Sequence, residues 1–472
     1  MADSEPTEIA EEATSSGAGS GIEREAVDGA AAGGAARLDP ERIEIQTRGM
    51  NIEQLLSRIR AKTIDLLPEA RRERDGWSDL RRSRLVESLL LKIPLPPIYA
   101  VEDAHENWTV VDGMRRLTAV ARFVDPDAIG QKPLALAGLE YLGDEFDGAA
   151  FEGLPPRMQR RLNETELTIH VIRHGTPAPV KFNIARRINT GGTTLSNQEI
   201  RYALIAGPAR EVLRELAESS EFRKATANSI RDEGMADREL VLRFAAFRLT
   251  PYRDYEGGDF ESFLGAAMRR LNELDAAPPE PVEPDVPEEP QVAEAPESAG
   301  AEETEAPAAG PPAESIEDQG DVLGGGEPDA AAPAAPEAAP EPEPAELPEP
   351  QPEPVTLARL ERDFKEAMKT AAAIFGDGAF RKPHAAGEAR NPVNRALFEA
   401  ISVTLATFDA AQRKSLAAQS DSIKKDFIDL MQNSGFVNAI SQDTGDPARV
   451  RRRFGEIEKL FEKALSCSTP SG

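Results

Sequence analysis

The chain predicts an α+β fold with a long helical continuation. Short β-branched runs alternate with amphipathic stretches up to about residue 205. From there to residue 275, and again beyond residue 355, the apolar spacing is helical throughout. Between these helical stretches, residues 276–355 contain 22 Asp/Glu, 20 Pro, no Lys or Arg and no aromatic residue. Such a stretch buries too little apolar surface to offset the entropy of ordering, so a disordered Pro/Glu/Ala linker is expected to interrupt one helical domain. The expected division is a disordered acidic tail over 1–37, an α+β domain over 38–205, helical parts over 206–275 and 356–466 around the linker, and a tail over 467–472.

In chain order, "NIEQLLSRIRAKTIDL" opens the folded part, with Ile52, Leu55, Leu56 and Ile59 at helical spacing and a short extended piece after them. "SDLRRSRLVESLLLKI" is a second helix, with Ser78 as N-cap. "PLPPIYAVE" must be extended, because its prolines block helix continuation. "NWTVVDG" reads as a strand meeting a turn, "MRRLTAVARFV" as a helix, and "ELTIHVIRH" as a further strand. "PVKFNIARRINTGG" is a short helix running into a Gly-Thr loop. "SNQEIRYALIAG" is a helix with a capping box, Ser196 with Glu199, stopped by Gly207 and Pro208. "DRELVLRFAAFRL" is apolar nearly all round and so belongs in a core, with the four helical segments after the linker as its partners.

The formal net charge of −28 arises entirely in the linker and the N-terminal tail, which holds 8 acidic and 2 basic residues. The remainder is neutral, so the low isoelectric point is silent about its ligand. The one cysteine, Cys467, excludes an internal disulfide and a cysteine zinc site. His170 and His174 are four apart on a strand pattern, which does not bring ligands together, so their expected role is structural. No apolar run approaches the ~20 residues of a membrane helix and no signal peptide is visible, so a cytoplasmic protein without membrane contact is expected.

Two stretches have chemistry in them. In "VVDGMRRLTAVARF" a strand ends in Asp112-Gly113 and a helix follows. Free N–H groups and the helix dipole at that point favour an anion. Gly113 permits a positive φ and close approach of a ligand, while Arg115 and Arg116 offer forked donors to phosphate oxygens. Asp112 is a candidate to hold Mg²⁺, to orient a water, or simply to cap the helix. In "RRINTGGTTLSNQEIR", Asn189, Thr190, Gly191, Gly192, Thr193 and Thr194 form a polar loop suited to phosphate or sugar, without the Gly-Lys-Ser/Thr of a Walker A loop. The basic stretch "LPEARRERDGW", with Arg71, Arg72, Arg74 and Trp77, precedes both. Each stretch has an ordinary reading as well: turn chemistry, a capped connection, a solvated loop.

Together and in this order the three stretches resemble the ParB-like module at the N-terminus of GmrSD-type modification-dependent restriction proteins. That pattern runs P-x-[FY]-Q-R with a following Trp, a helix like "LVESLLLKIPLPPI", a strand with D-G-Q-Q-R-L-T, and R-I-N-x-G-G-x-x-L-S-x-x-E. The resemblance covers roughly residues 45–205 and implies a ParB/sulfiredoxin-like fold: a small mixed sheet with helices. It further implies that the strand-to-helix turn binds nucleotide phosphates, with Mg²⁺ as a possible companion ion, and in some relatives supports NTP hydrolysis coupled to DNA cleavage. Carried over by position, Asp112, Gly113 and Arg116 match the second motif, Arg72 the first, and Asn189, Gly191, Gly192, Leu195, Ser196 and Glu199 the third. Thr193 lies inside the third motif. Met114 and Arg115 stand where the commonest form has two glutamines, and an arginine does not accept a water's protons. Sulfiredoxin chemistry is excluded by the remoteness of Cys467. After residue 205 no His-Asn-His constellation of an HNH nuclease is found.

The expected function is an NTP-binding, ParB-like sensor or regulatory subunit in DNA-directed defence, acting with DNA and a separate nuclease subunit. Its expected cofactor contacts are Arg72, Asp112, Gly113, Arg115, Arg116, Asn189, Gly191, Gly192 and Thr193; Asp112 and Asn189 are the metal candidates, and Asp112 and Arg116 the catalytic ones. The alternatives are an NTPase or weak nuclease, and a DNA-binding or scaffolding protein with a degenerate site.

Overall fold

A five-stranded mixed sheet forms from segments that lie far apart in the chain. The computed structural model describes residues 9–13, 19–25, 42–66, 77–189, 195–275, 355–384 and 389–467. The expected linker thus lies almost wholly outside the described residues, as do Arg71, Arg72, Arg74 and Thr190–Thr194. Segments on both sides of that gap belong to one compact unit.

Two short strands come first, β1 (Glu11–Ala13) and β2 (Gly19–Glu23), paired antiparallel. The α+β part then runs β3 (Ile45–Asn51), α1 (Ile52–Arg60), β4 (Ile64–Asp65), α2 (Asp79–Leu90), β5 (Ile98–Glu102), β6 (Trp108–Asp112), α3 (Met114–Val124), α4 (Gly143–Phe146), α5 (Pro156–Glu164), β7 (Glu166–Ile172), α6 (Ala178–Ile188) and α7 (Asn197–Leu204). Its sheet order is β3-β7-β5-β6-β4. β7 pairs antiparallel with β3 and parallel with β5, and β6 pairs antiparallel with β5 and parallel with β4. The fold is α+β, as expected.

Local chemistry explains these elements. Asn51 and Gln54 form a capping box at α1, whose Ile52, Leu55, Leu56 and Ile59 are all buried. Ser78 caps α2, and Ser196 with Glu199 caps α7. Leu167, Ile169 and Val171 alternate inward along β7, while His170 faces the other side and hydrogen-bonds Thr47 at 2.9 Å. Strand β3, "IQTRGMN", has no apolar alternation and is largely exposed at the sheet edge. That is why no strand was expected there: pairing with β7 makes it, not burial.

The helical part comprises α8 (Ala209–Glu218), α9 (Ser220–Ala225), α10 (Ala236–Leu249), α11 (Phe260–Asp275), α12 (Leu357–Phe375), α13 (Arg395–Thr407), α14 (Ala410–Ala418), α15 (Ser420–Leu430), α16 (Ser434–Ser441) and α17 (Pro447–Cys467). α10 lies at its centre, with Leu240, Val241, Leu242, Phe244 and Phe247 buried in one core with Phe364, Phe398 and Phe454 from the later helices. Each such side chain contributes about 1.5–3 kcal/mol of burial. The α+β part has a second core, and α7 borders both: Tyr202 packs in the helical core, Ile200 and Ala203 in the other.

The helical core also encloses charge. Glu399 and Arg453 are fully buried and pair at 2.5 Å, and Arg243 reaches the same carboxylate at 2.7 Å. Here the expectation of a disordered tail over 1–37 is corrected for the segments described. Ile22 is buried in the helical core and bridges Val393. Glu23 pairs with Lys382 at 2.5 Å, Glu12 with Arg395 at 2.5 Å, and Glu25 with Arg243 at 3.4 Å. The acidic composition that suggested a solvated tail supplies the counter-ions of cations in the helical part. Lys382 is 359 residues from Glu23, beyond the reach of local pattern.

Candidate functional site: the strand-to-helix turn after β6

Thr109, Val110 and Val111 favour extended backbone, and Val110 and Val111 are buried between the sheet and its helices. The chain then reverses through Gly113, at φ 89° and ψ 5°, into α3. A Cβ on Gly113 would stand 2.9 Å from Ile98 Cγ1 and 3.0 Å from Arg116 Nη2, so both the backbone conformation and the space require glycine. No side chain caps α3 and its first turn has no acid, so Asp112 is not the N-cap. The first helical bond runs from Leu117 N–H to Gly113 O at 3.0 Å. The partial positive charge of the helix start is therefore unopposed by a carboxylate cap.

Asp112 instead accepts from Arg116 Nη2 at 2.8 Å. Arg116 Nη2 also donates to Pro97 O at 3.3 Å, and Nη1 donates to Pro96 O. These proline carbonyls belong to the extended "PLPPI" segment, so Arg116 ties that segment to the turn. Its side chain is 13% exposed and Asp112 is 35% exposed. Arg115 is half-buried on the same turn, and Met114 is buried in the core. The position where the resembling family most often carries its first glutamine is thus occupied here by a packed apolar side chain.

Asn189 is buried at the C-terminal end of α6. Its Nδ2 donates to Leu195 O at 2.9 Å, which ties together the two ends of the Gly-Thr loop. Ser196, next in the chain, donates from its hydroxyl to Gly234 O at 2.5 Å and so fastens the loop's far end to the helical part. Gly191, Gly192 and Thr193, expected as ligand contacts, lie outside the described residues, and so does Arg72. The structure joins Asp112, Gly113 and Arg116 in one hydrogen-bonded turn. No hydrogen bond or ion pair among the described residues joins Asn189 to that turn. Nor do any three His, Cys, Asp or Glu side chains among them gather closely enough to hold a metal ion.

At the start of α2, Arg82 is held by Asp79 at 2.7 Å and Arg81 lies over the Trp77 ring at 4.5 Å, which leaves less of this basic stretch for DNA phosphates. Sequence reading missed two further groups. Glu87, 3% exposed within "LVESLLLKI", accepts from the N–H groups of Glu140, Tyr141 and Leu142 at 3.0, 2.7 and 2.9 Å. Burial opposes its charge, yet the three amides hold its carboxyl below the ordinary value. A lone acid within an apolar run was the signal. Where β5 and β6 pair, buried Glu102 accepts from Trp108 Nε1 at 3.3 Å and from Arg173 at 2.7 Å, and the Arg58 guanidinium lies 4.0 Å from the Trp108 ring centroid.

Fold and site together define a mixed-sheet α+β domain that turns from strand to uncapped helix through a left-handed glycine, with its α7 built into a helical partner. Residues 52–206, about a third of the chain, match the family model of the GmrSD restriction endonuclease, N-terminal domain, and this segment carries such a domain. No curated protein and no solved structure matches the chain. No helix among the described residues is long and apolar enough to cross a membrane.

Proposed function

We propose that the domain binds the phosphates of an NTP at the turn after β6 and serves as a regulatory part of a restriction-type defence system. The family match supports the defence role. The observation that carries the binding role is the uncapped start of α3 behind the left-handed Gly113. Phosphate oxygens would meet the first-turn N–H groups, with Arg115 and the outer edge of Arg116 supplying charge. Asp112 and Asn189 each keep a side-chain oxygen for Mg²⁺ or a sugar hydroxyl, and Arg72, Gly191, Gly192 and Thr193, outside the described residues, are the remaining proposed contacts. The adjoining helical part would read out the change.

Calorimetry of the full chain with each NTP and Mg²⁺ tests this. Saturable binding that Arg116→Ala and Gly113→Ala both weaken is expected; no binding by the unsubstituted chain overturns it. Phosphate release that depends on Asp112 would move the reading to an NTPase. A second reading, a scaffold that retains the fold without a ligand, draws on buried Met114 and on the internal commitments of Arg116. It predicts no response to any NTP. A DNA-binding role would show instead as salt-dependent binding that ignores NTPs.

A further inference from the structure

A cleft of about 390 Å³ opens at the other end of β6, where the β5–β6 hairpin tip, the start of α6 and the end of α7 face α11. That volume falls within the range of small-molecule sites, ~300–1,000 Å³. β6 separates it from Asp112 by its five residues, about 13 Å of strand.

Its polar groups are unevenly matched. Each acid in its wall accepts hydrogen bonds from its neighbours. Asp103 accepts from the N–H groups of His105 and Asn107 at 2.8 and 2.9 Å. Asp259 accepts from Ser262 N–H at 3.2 Å and its hydroxyl at 2.6 Å. Glu261 accepts from Asn197 at 3.0 Å and from Arg201. Asn272 is spent on Ala209 N–H and Ala206 O, both at 2.8 Å. The donors are in surplus. Lys181 and Arg269 form no ion pair among the described residues, and Lys181 reaches only Glu102 O, at 3.4 Å. Arg201, 1% exposed, lines the cleft with a buried Nε–H that meets no acceptor among the described residues. Burial pushes the Lys181 ammonium below its ordinary value, although the nearby charges of Glu102 and Asp103 work the other way. Phe182, Leu204 and Ile205 also line the cleft. Gly265 on α11 faces this wall closely: a Cβ there would already stand in contact with Ile205 Cδ1 at 3.7 Å and with the Arg269 guanidinium at 3.9 Å, so a larger side chain would intrude.

Surplus donors beside an apolar wall call for a ligand that brings an acceptor and an apolar body. We propose that this cleft binds a small amphipathic anion, a carboxylate or phosphate on a ring-sized apolar group, with Lys181 and Arg269 on the anion and Phe182 and Ile205 against the ring. Its walls come from the sheet domain and from α11, so the ligand clamps the hairpin tip to the helical part. This site is independent of the turn after β6.

The test is calorimetry of the full chain with phenyl phosphate and benzoate, and with benzyl alcohol and inorganic phosphate as controls. Single-site binding of at least one aromatic anion is expected, with both controls about tenfold weaker or worse, since each lacks one of the two matched features. The tighter aromatic anion identifies the head group. Lys181→Gln, at a half-buried position, and Arg269→Gln, at an exposed one, should each weaken binding about tenfold. Gly265→Leu should abolish it by filling the space, and Arg116→Ala should leave it unchanged. Absence of saturable binding by either aromatic anion overturns the proposal. So does binding that survives both Lys181→Gln and Gly265→Leu.

Discussion

Arg116 and Asp112 stand one helical turn apart and share a 2.8 Å charged hydrogen bond, while the same guanidinium holds the carbonyls of Pro96 and Pro97. An ion pair with one member 35% exposed contributes modestly, so the coupling in a double-mutant cycle should be about 0.5–1 kcal/mol. Arg116→Ala alone should cost more, about 1–3 kcal/mol, because two carbonyls lose their donor. Urea denaturation of Asp112→Asn, Arg116→Ala and the double variant measures both terms. Equal losses in the two single variants would contradict the tying role of Arg116.

Gly113→Ala forces a side chain into left-handed backbone, at about 1–2 kcal/mol, and sets a methyl 2.9 Å from Ile98 and 3.0 Å from Arg116. A thermal midpoint several degrees lower is expected. An unchanged midpoint would show that the turn relaxes to another conformation.

Glu399 serves both Arg453 and Arg243 with no exposure to water. Burial works against the charge of Arg243, but Glu25, Glu239 and Glu399 outweigh it and raise its pKa well above the ordinary value. Glu399→Gln leaves two buried guanidinium groups short of charge and should cost about 3–5 kcal/mol by chemical denaturation. A loss below about 1 kcal/mol would mean that Glu25 and Glu239 can replace it.

Two acids on α10 respond to pH with opposite sign. Burial pushes Asp237 up to about 6 against the field of Arg238. A folded value above the unfolded one, near 3.9, means that the folded state holds the proton more tightly. The stability from Asp237 is complete below about pH 4 and is lost as pH rises through 6. Burial also opposes charge on Glu239, but Arg395, Arg243 and Arg201 overcome it and hold the group at about 2. Its contribution is present above about pH 4.3 and is lost as pH falls toward 2. Asp237→Asn should flatten the decline between pH 4 and 6, worth about 2–3 kcal/mol, and spare the acid limb. An unchanged slope in urea titrations over pH 4–7 would assign that window to another group.

Removing residues 1–25 takes away Glu12, Glu23 and Glu25 and strips carboxylates from Arg395, Lys382 and Arg243. The helical part should lose on the order of 3–5 kcal/mol, and a synthetic peptide of residues 9–25 should restore part of it in a thermal melt. A truncated chain as stable as the full one would reduce β1 and β2 to a surface attachment.

Residue order alone determined the α+β class, the caps at Ser78 and Ser196, the burial of "DRELVLRFAAFRL" and the glycine turn after β6, because each depends on neighbours a few residues away. Hydrophobic period, cap chemistry and turn chemistry are local and therefore legible. Strand β3 was invisible because its hydrogen bonds to β7 come from a partner more than a hundred residues on. The tertiary structure alone decided that Asp112 pairs with Arg116 instead of capping α3, that Asn189 ties the loop ends, and that N-terminal glutamates answer buried arginines. Whether a charge is solvated, paired or spare depends on what long-range packing sets within about 4 Å of it, and no short pattern of residues encodes that distance.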